Sequence, residues 1–495
     1  MADPFVVVGG DAAGLSAASK CSREEPEREV IVFEKGSWVS YAHCGMPYFV
    51  KGEVDTLDEL LSLSPEEIDE RGIDLRRDHE VLAVDTEAET VAVEGPDGES
   101  EQPYGDLLIA TGAHAVTSPI EGHDLDGVHT MHGLDSAAAV RAHLLDPDED
   151  PLADMGGEDF VDQDLVARYG ALDPPETVAI IGGGYVGVEM AEAFASHDLD
   201  VHLFQRSERL VPPFGEAVAE AVESELREQG IGLHLDEEVA RIDSETGAQR
   251  RSRHGERGAQ RPASGDDTVD QLVCGSGSTL DIDCALVGIG IQPNTKLVEG
   301  TPVKLGESGA VAVDEYGRTS VESVYAAGDV AEMRHAVTGE PDWVPLGLTA
   351  NRAGRAIGQT VAGDPEPVGD IAGTAVLKAF EQECGRTGIV DEGRAREAGF
   401  DPVSETITSR SRSGYYPGAA ETTVTLVADR ESGRLLGGTI VGTDRAAIRI
   451  DILAMAIEQD ATVADLERAD LAYAPPFAPV WDPVLTAAKV LRGQL

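Results

Sequence analysis

Two copies of one glycine-rich pattern set the limits on what this chain can become. In the first, Phe5-Val-Val-Val-Gly9-Gly10-Asp11-Ala12-Ala13-Gly14 runs into a small-residue helix pattern, Leu15 to Ser22, and then into the apolar segment Val30 to Phe33, closed by Glu34. In the second, Thr177 to Ile181 meets Gly182-Gly183-Gly184-Tyr185-Val186-Gly187, followed by Val188 to Ser196 and Val201 to Phe204. A strand, a glycine turn, a helix and a parallel strand within about 30 residues is the sequence form of a dinucleotide-binding βαβ unit. The turn lets a pyrophosphate approach backbone N–H groups at the positive end of a helix. One such turn is weak evidence, because glycine turns also occur without ligands. Two complete copies predict two Rossmann-like domains.

The copies differ where a ribose would lie. Glu34 stands 20 residues beyond Gly14, where its carboxylate can accept hydrogen bonds from a ribose diol, although Asp11 occupies the usual middle-glycine place. The second unit ends in Gln205-Arg206, so nothing there repels a 2′-phosphate, and Arg206 or Arg209 can pair with one. NADPH is therefore expected to serve as well as NADH. A third signature is Thr319 to Asp329, ending Ala327-Gly328-Asp329. A strand ending in Gly-Asp can set a carboxylate on a flavin's ribityl chain while the next helix points its N-terminus at the pyrophosphate. Ala110-Thr111-Gly112 after the strand Leu107 to Ile109 reads as the exit from the first domain. The layout is then an FAD-binding domain at residues 1–115 and 290–365, interrupted by an NAD(P)-binding domain at 116–289.

At 495 residues the chain exceeds what one core can hold, and three domains are expected. From Ile371 alternating strands, including Ala375 to Phe380 and Thr422 to Val427, precede an apolar helix from Ala446 to Glu458, which predicts a C-terminal α+β domain over 366–495. Asp146 to Pro175 and Ser244 to Ser278 read as polar surface insertions. With 92 acidic against 38 basic residues and a formal charge of −54, the surface repels nucleic acid and anionic lipid. Self-repulsion of that size fades when salt shortens the Debye length to about 3 Å near 1 M, which predicts a halophilic host. No apolar run is long enough for a membrane span and no leader pattern precedes Phe5, so a cytoplasmic protein is expected. Five cysteines without a CxxC pairing predict no disulfide framework and no metal. Cys44 stands apart from the other four because it lies between polar Ser40 and His43 and a Gly-Met-Pro turn.

These features together resemble the flavoprotein disulfide reductases that bind two dinucleotides, over nearly the full length. The segment Glu34-Lys35-Gly36-Ser37-Trp38-Val39-Ser40-Tyr41-Ala42-His43-Cys44-Gly45-Met46-Pro47-Tyr48 is most similar to the single-cysteine branch, which holds coenzyme A disulfide reductases, NADH oxidases and NADH peroxidases. Where glutathione reductase-like members place a second cysteine, this chain has Phe49, and no histidine follows His335. A solitary Cys44 must keep its oxidising equivalent as a mixed disulfide or a sulfenic acid. The resemblance implies that Cys44 starts a helix whose dipole lowers its pKa. It also implies a homodimer in which Tyr473 or Tyr416 crosses to the partner's site as proton donor, and it puts Ser16, Lys20, Arg23, Ser40 and His43 near a coenzyme A moiety. Other substrate-binding lysine positions of the branch hold Gly72 and Trp481 here. The expected cofactor contacts are Gly9, Gly10, Ala13, Gly14, Glu34, Lys35, Ser40, Thr111, Gly112, Gly182, Gly184, Tyr185, Gly187, Gln205, Arg206, Gly290, Gly328 and Asp329. Ala12 replaces the histidine that sulfenic acid users of the branch carry, which favours coenzyme A disulfide as acceptor. Dioxygen or peroxide reduction, polysulfide reduction and a non-enzymatic flavin-bound redox sensor stay open.

Overall fold

A computed structural model describes residues 3–146, 150–153, 155–157, 160–244 and 268–495. Two five-stranded parallel sheets and one five-stranded antiparallel sheet organise it. The first sheet runs in the order Val324–Ala326, Asp106–Ile109, Phe5–Val8, Val30–Phe33, Asp74–Arg76. Its central strand is buried on both faces, as a near-continuous Val and Phe run requires, and pairs in register from Phe5↔Val30 to Val8↔Phe33. The second sheet repeats the plan with Gly232–Leu235, Asp200–Gln205, Thr177–Ile181, Cys284–Val287 and the two-residue edge strand Val128–His129. Each glycine turn opens a helix, Ala12–Glu24 in the first unit and Tyr185–Ala195 in the second. The first helix is small-faced because it lies against the helix Gly347–Val361, where Gly354 and Gly358 meet the backbone of Ala13 and Ala17.

The chain passes between the two sheets twice, through Ala113–Ala115 and back through Ile291–Pro293, and these two segments pair antiparallel. Thr111 Oγ1 donates to the Asn294 carbonyl at 2.8 Å and Asn294 Nδ2 donates to the Thr111 carbonyl at 2.7 Å, which locks exit to return. The C-terminal sheet orders Ala375–Ala379, Gln382–Gly388, Leu435–Gly442, Glu421–Asp429 and Pro402–Arg410, with Ile450–Glu458 and Pro483–Arg492 packed into one apolar core. Among the described residues no helix is long and apolar enough to cross a membrane.

Two expectations need correction. The segment Asp146 to Pro175 is not merely an excursion: Gln163–Gly170 is a helix whose Val166 and Tyr169 are buried, and Met155, Val161 and Leu172 are buried too. Its apolar positions are few, and Asp, Pro and Gly between them masked the helical spacing. Of Ser244 to Ser278, residues 245–267 lie outside the described residues, while Val269–Cys274 is a strand paired with Val239–Ser244. Between Asp329 and the next helix, Gly347–Val361, lies a hairpin, Met333–Arg334 with Pro341–Asp342.

Candidate active site

The two glycine turns are built alike, atom for atom. Gly9 has φ +112° and a Cβ there would stand 2.1 Å from the Ala110 carbonyl; Gly182 has φ +112° and its Cβ would stand 2.2 Å from the Gly288 carbonyl. Gly14 and Gly187 each press to within 1.9 Å, measured to a Cβ, of the carbonyl of the turn's first glycine. Only hydrogen fits there, so the helix N-terminus seats directly on the strand end and its N–H groups face outward. The residue closing the second strand braces each turn. Glu34 Oε2 accepts from Gly10 N at 2.8 Å, with Oε1 accepting from Gly36 N at 2.9 Å, and Gln205 Oε1 accepts from Gly183 N at 3.0 Å. Burial pushes the Glu34 carboxyl up despite those N–H donors. Glu34 thus spends part of its acceptor capacity on the turn, leaving lone pairs for a ribose. This cradle fits the adenosine diphosphate half of FAD; Gly328, at φ +79°, packs against Ala13, and half-buried Asp329 follows it.

Asp11 occupies the N-cap of the first helix, yet its side chain makes no capping bond. Its carboxylate instead accepts from His43 Nε2. An aspartate at this position ordinarily accepts from the N2 or N3 N–H, the groups a pyrophosphate needs. His43 holds it aside. The imidazole lies against the Tyr41 ring at 4.2 Å between centroids. Burial opposes its charge, but the Asp11 bond and the charges of Asp11 and Asp329 carry its pKa above the ordinary value.

Cys44 follows directly, in a short 3-10 turn, His43–Gly45, that leads into the helix Met46–Lys51. It is exposed, whereas Cys21, Cys274, Cys284 and Cys384 are buried. The expected lowering of its pKa is not produced by the protein's own groups: burial, then the charges of Glu189 and Asp329, push the thiol up. The helix after it has only six residues. Ser40 sits at φ +50°, a left-handed conformation uncommon outside glycine, and its N–H donates to the Gly10 carbonyl at 3.1 Å.

Glu189 and Glu192, on the second glycine-turn helix, escaped the sequence reading. Glu189 lies within 3.5 Å of the Tyr48 hydroxyl, and burial raises its carboxyl to about 7. Glu192 is buried and accepts from Lys51 Nζ and Lys378 Nζ at 2.7 Å each and from Phe380 N at 2.7 Å. One carboxylate therefore ties the Cys44 helix, the second parallel unit and the C-terminal sheet together. A charged residue among Val188, Met190 and Ala191 was the available signal.

The remaining positions divide. Ser16 Oγ bonds Asn351 Oδ1 at 2.7 Å. Lys20 is buried along its stem and paired with Glu24 at 2.6 Å, so it is not a free cation, whereas Arg23 is exposed. Lys35 is exposed beside Glu34. Gly184 caps the second helix with open space around it, Tyr185 packs edge-on against Phe214, and Gly290 has φ +127°. Arg206 is exposed at the strand end, but Arg209 is engaged by Glu223, Glu220 and Glu216 and is not available to a phosphate. Tyr416 and Tyr473 are 37 % and 50 % exposed on the C-terminal domain, in company with Tyr415, Phe477, Val480 and Trp481.

Residues 3–342 match the family model for pyridine nucleotide-disulphide oxidoreductases, and residues 375–483 match that family's dimerisation domain. The chain belongs to this family. As a pyridine nucleotide-disulphide oxidoreductase it is an enzyme that uses FAD and a nicotinamide dinucleotide. It is 37 % identical over 494 residues, 99 % of each chain, to an NAD(P)H coenzyme A polysulfide/persulfide reductase of Pyrococcus horikoshii. It is 27 % identical over 479 residues, 96 % of each chain, to a coenzyme A disulfide reductase of Staphylococcus haemolyticus. The solved NAD-dependent persulfide reductase of A. fulgidus superposes with a TM-score of 0.86 at 33 % identity, covering 99 % of this chain and 83 % of that one.

Proposed function

We propose that this oxidoreductase uses NAD(P)H to cleave the sulfur–sulfur bond of a coenzyme A-linked disulfide, with Cys44 as the attacking sulfur and a persulfide of the same carrier as an alternative acceptor. The observation that carries the reading is one exposed thiol among five, next to the first glycine cradle and to Glu189 of the second unit. FAD, when bound, supplies the path for an electron pair between the nicotinamide and sulfur. The chain's residues do the rest. The Cys44 thiolate attacks one sulfur of the substrate, forming a mixed disulfide and releasing a coenzyme A thiolate that takes up a proton. Two electrons then break the mixed disulfide, restoring the Cys44 thiolate and freeing the second thiolate. Without a neighbouring cysteine the protein has no internal disulfide to fall back on, so the carrier thiol itself is the partner.

Gly182, Gly184 and Gly187 seat the nicotinamide dinucleotide, with Arg206 toward a 2′-phosphate. Gly9, Gly10, Gly14, Glu34 and Asp329 seat FAD. His43 and Ser40 line the thiol's entrance on the carrier side. The exposed apolar face bearing Tyr416, Tyr473 and Trp481 is the homodimer interface, and one of the two tyrosines delivers a proton to the departing thiolate of the partner's site. The test is anaerobic steady-state oxidation of NADPH and NADH at high salt with coenzyme A disulfide, set against oxygen uptake with either nucleotide alone. Disulfide-dependent turnover that vanishes in Cys44→Ser supports the reading, and oxygen-only turnover contradicts it.

A further inference from the structure

A second group of nucleophilic side chains lies away from Cys44, inside the nicotinamide unit. His129 comes from the edge strand Val128–His129, His143 from the last turn of the helix Leu134–Leu144, and Cys284 from the first residue of the strand Cys284–Val287. They are 5 %, 2 % and 1 % exposed. His129 Nε2 and His143 Nδ1 are 3.0 Å apart, and one donor atom from each of the three residues lies within 4.8 Å of the others. Tyr169 closes the group from the segment that sequence reading set aside as a surface insertion, its ring 4.4 Å from that of His129. Arg168, paired with Asp126 at 2.7 Å, lies next to it.

We infer that His129, His143 and Cys284 form a binding site for one thiophilic d10 metal ion, Cu+ or Zn2+. Two imidazoles and a thiol from three separate elements converge in an apolar interior, where a hydrogen-bonded pair would need no sulfur. Ions of this class sit about 2.0 Å from imidazole nitrogen and 2.3 Å from thiolate sulfur, so their ligand atoms stand roughly 3.3 to 3.6 Å apart. The observed spacing, from 3.0 Å between the two imidazole nitrogens to at most 4.8 Å across the group, brackets those values. Binding is proton-balanced: Cys284 releases one proton as it becomes a thiolate, and each imidazole keeps one proton on the nitrogen turned away from the ion. Among the described residues no fourth His, Cys, Asp or Glu joins the group. Three donors suffice for Cu+, while Zn2+ adds a water. The ion would pin the edge strand and the Leu134–Leu144 helix to the interior of the sheet.

The test uses the full-length FAD-loaded protein carrying Cys44→Ser, so that the exposed thiol holds no metal. It is reduced, stripped with chelator at high salt, offered Zn2+ or, anaerobically and against a competing chelator, Cu+, then gel-filtered and assayed for metal by mass spectrometry. One equivalent per chain of either ion, lost on adding Cys284→Ser or His143→Gln and kept on adding Cys384→Ser, is the expected result. Failure of the Cys44→Ser parent to retain either ion overturns the inference without reliance on the further variants. Retention unchanged by Cys284→Ser overturns it equally.

Discussion

Replacing His43 with alanine releases Asp11 toward the helix N-terminus, and the consequence is a measurable loss of FAD affinity. Asp11 sits at an N-cap position that its side chain leaves unused because His43 holds the carboxylate. Freed, it would accept from the same N–H groups that a pyrophosphate needs, a bond worth about 1 kcal/mol. FAD must displace that bond and also approach a carboxylate no longer neutralised by an imidazolium. The pair is partly solvated, at 42 % and 31 % side-chain exposure, so the ionic part is discounted to about 1 kcal/mol or less. Together they give about 1 to 2 kcal/mol, or roughly 5- to 30-fold weaker FAD binding. The pH dependence has a definite sign. His43 titrates above its ordinary value, so its positive charge is present below that ordinary value and is lost as pH rises through the raised pKa. Asp329, Tyr41 and His132 face the same ring; burial, chiefly, lowers the His132 pKa, which keeps that group neutral. Titration of apoprotein with FAD by flavin fluorescence at high salt should show wild-type affinity falling as pH rises through the raised His43 pKa, a flat profile for Asp11→Gly, and rescue of His43→Ala by Asp11→Gly. Wild-type affinity in His43→Ala at pH 6, or no rescue in the double variant, would refute the reasoning.

Three further outcomes follow from the same geometry. Glu192→Ala leaves Lys51 and Lys378 without their shared partner and should cost about 2 to 3 kcal/mol, discounted from a fully buried pair because Lys378 is 43 % exposed, read as a lower denaturation midpoint. Glu189→Gln removes a carboxylate that titrates near 7 and helps push the Cys44 thiol up, so the pH profile of Cys44 alkylation by iodoacetamide should shift to lower pH. An unshifted profile would remove Glu189 from the account. Arg206→Ala should lower kcat/KM for NADPH by roughly 10-fold and leave NADH unchanged, as loss of a charged hydrogen bond to a 2′-phosphate requires.

Much of the fold could be read because it is local. Gly9 to Gly14 and Gly182 to Gly187 announce parallel βαβ units through spacing alone, since no other residue type satisfies the close approach between turn and helix. Glu34 and Gln205 stand at matching strand ends for the same reason. What escaped is what docking creates. Asp11 and His43 are 32 positions apart, Glu192 and Lys378 are 186 apart, and Cys284 lies 141 beyond His143, so no periodicity brings them together. The helix Gln163–Gly170 was hidden because its buried face is only Val166 and Tyr169 in a stretch dominated by helix breakers. The sign of the Cys44 shift was missed because it depends first on the protein packed around the thiol and then on the charges of Glu189 and Asp329, which two other segments contribute.

The central claim is that one sulfur carries the chemistry. Protein with its thiols reduced and its FAD oxidised, mixed anaerobically with one equivalent of coenzyme A disulfide and no nicotinamide, quenched with acid and mapped by mass spectrometry, should carry a single coenzyme A adduct on the peptide containing Cys44 and none in Cys44→Ser. An adduct on Cys21, Cys274, Cys284 or Cys384, or no adduct while oxygen still reoxidises the protein, would contradict it.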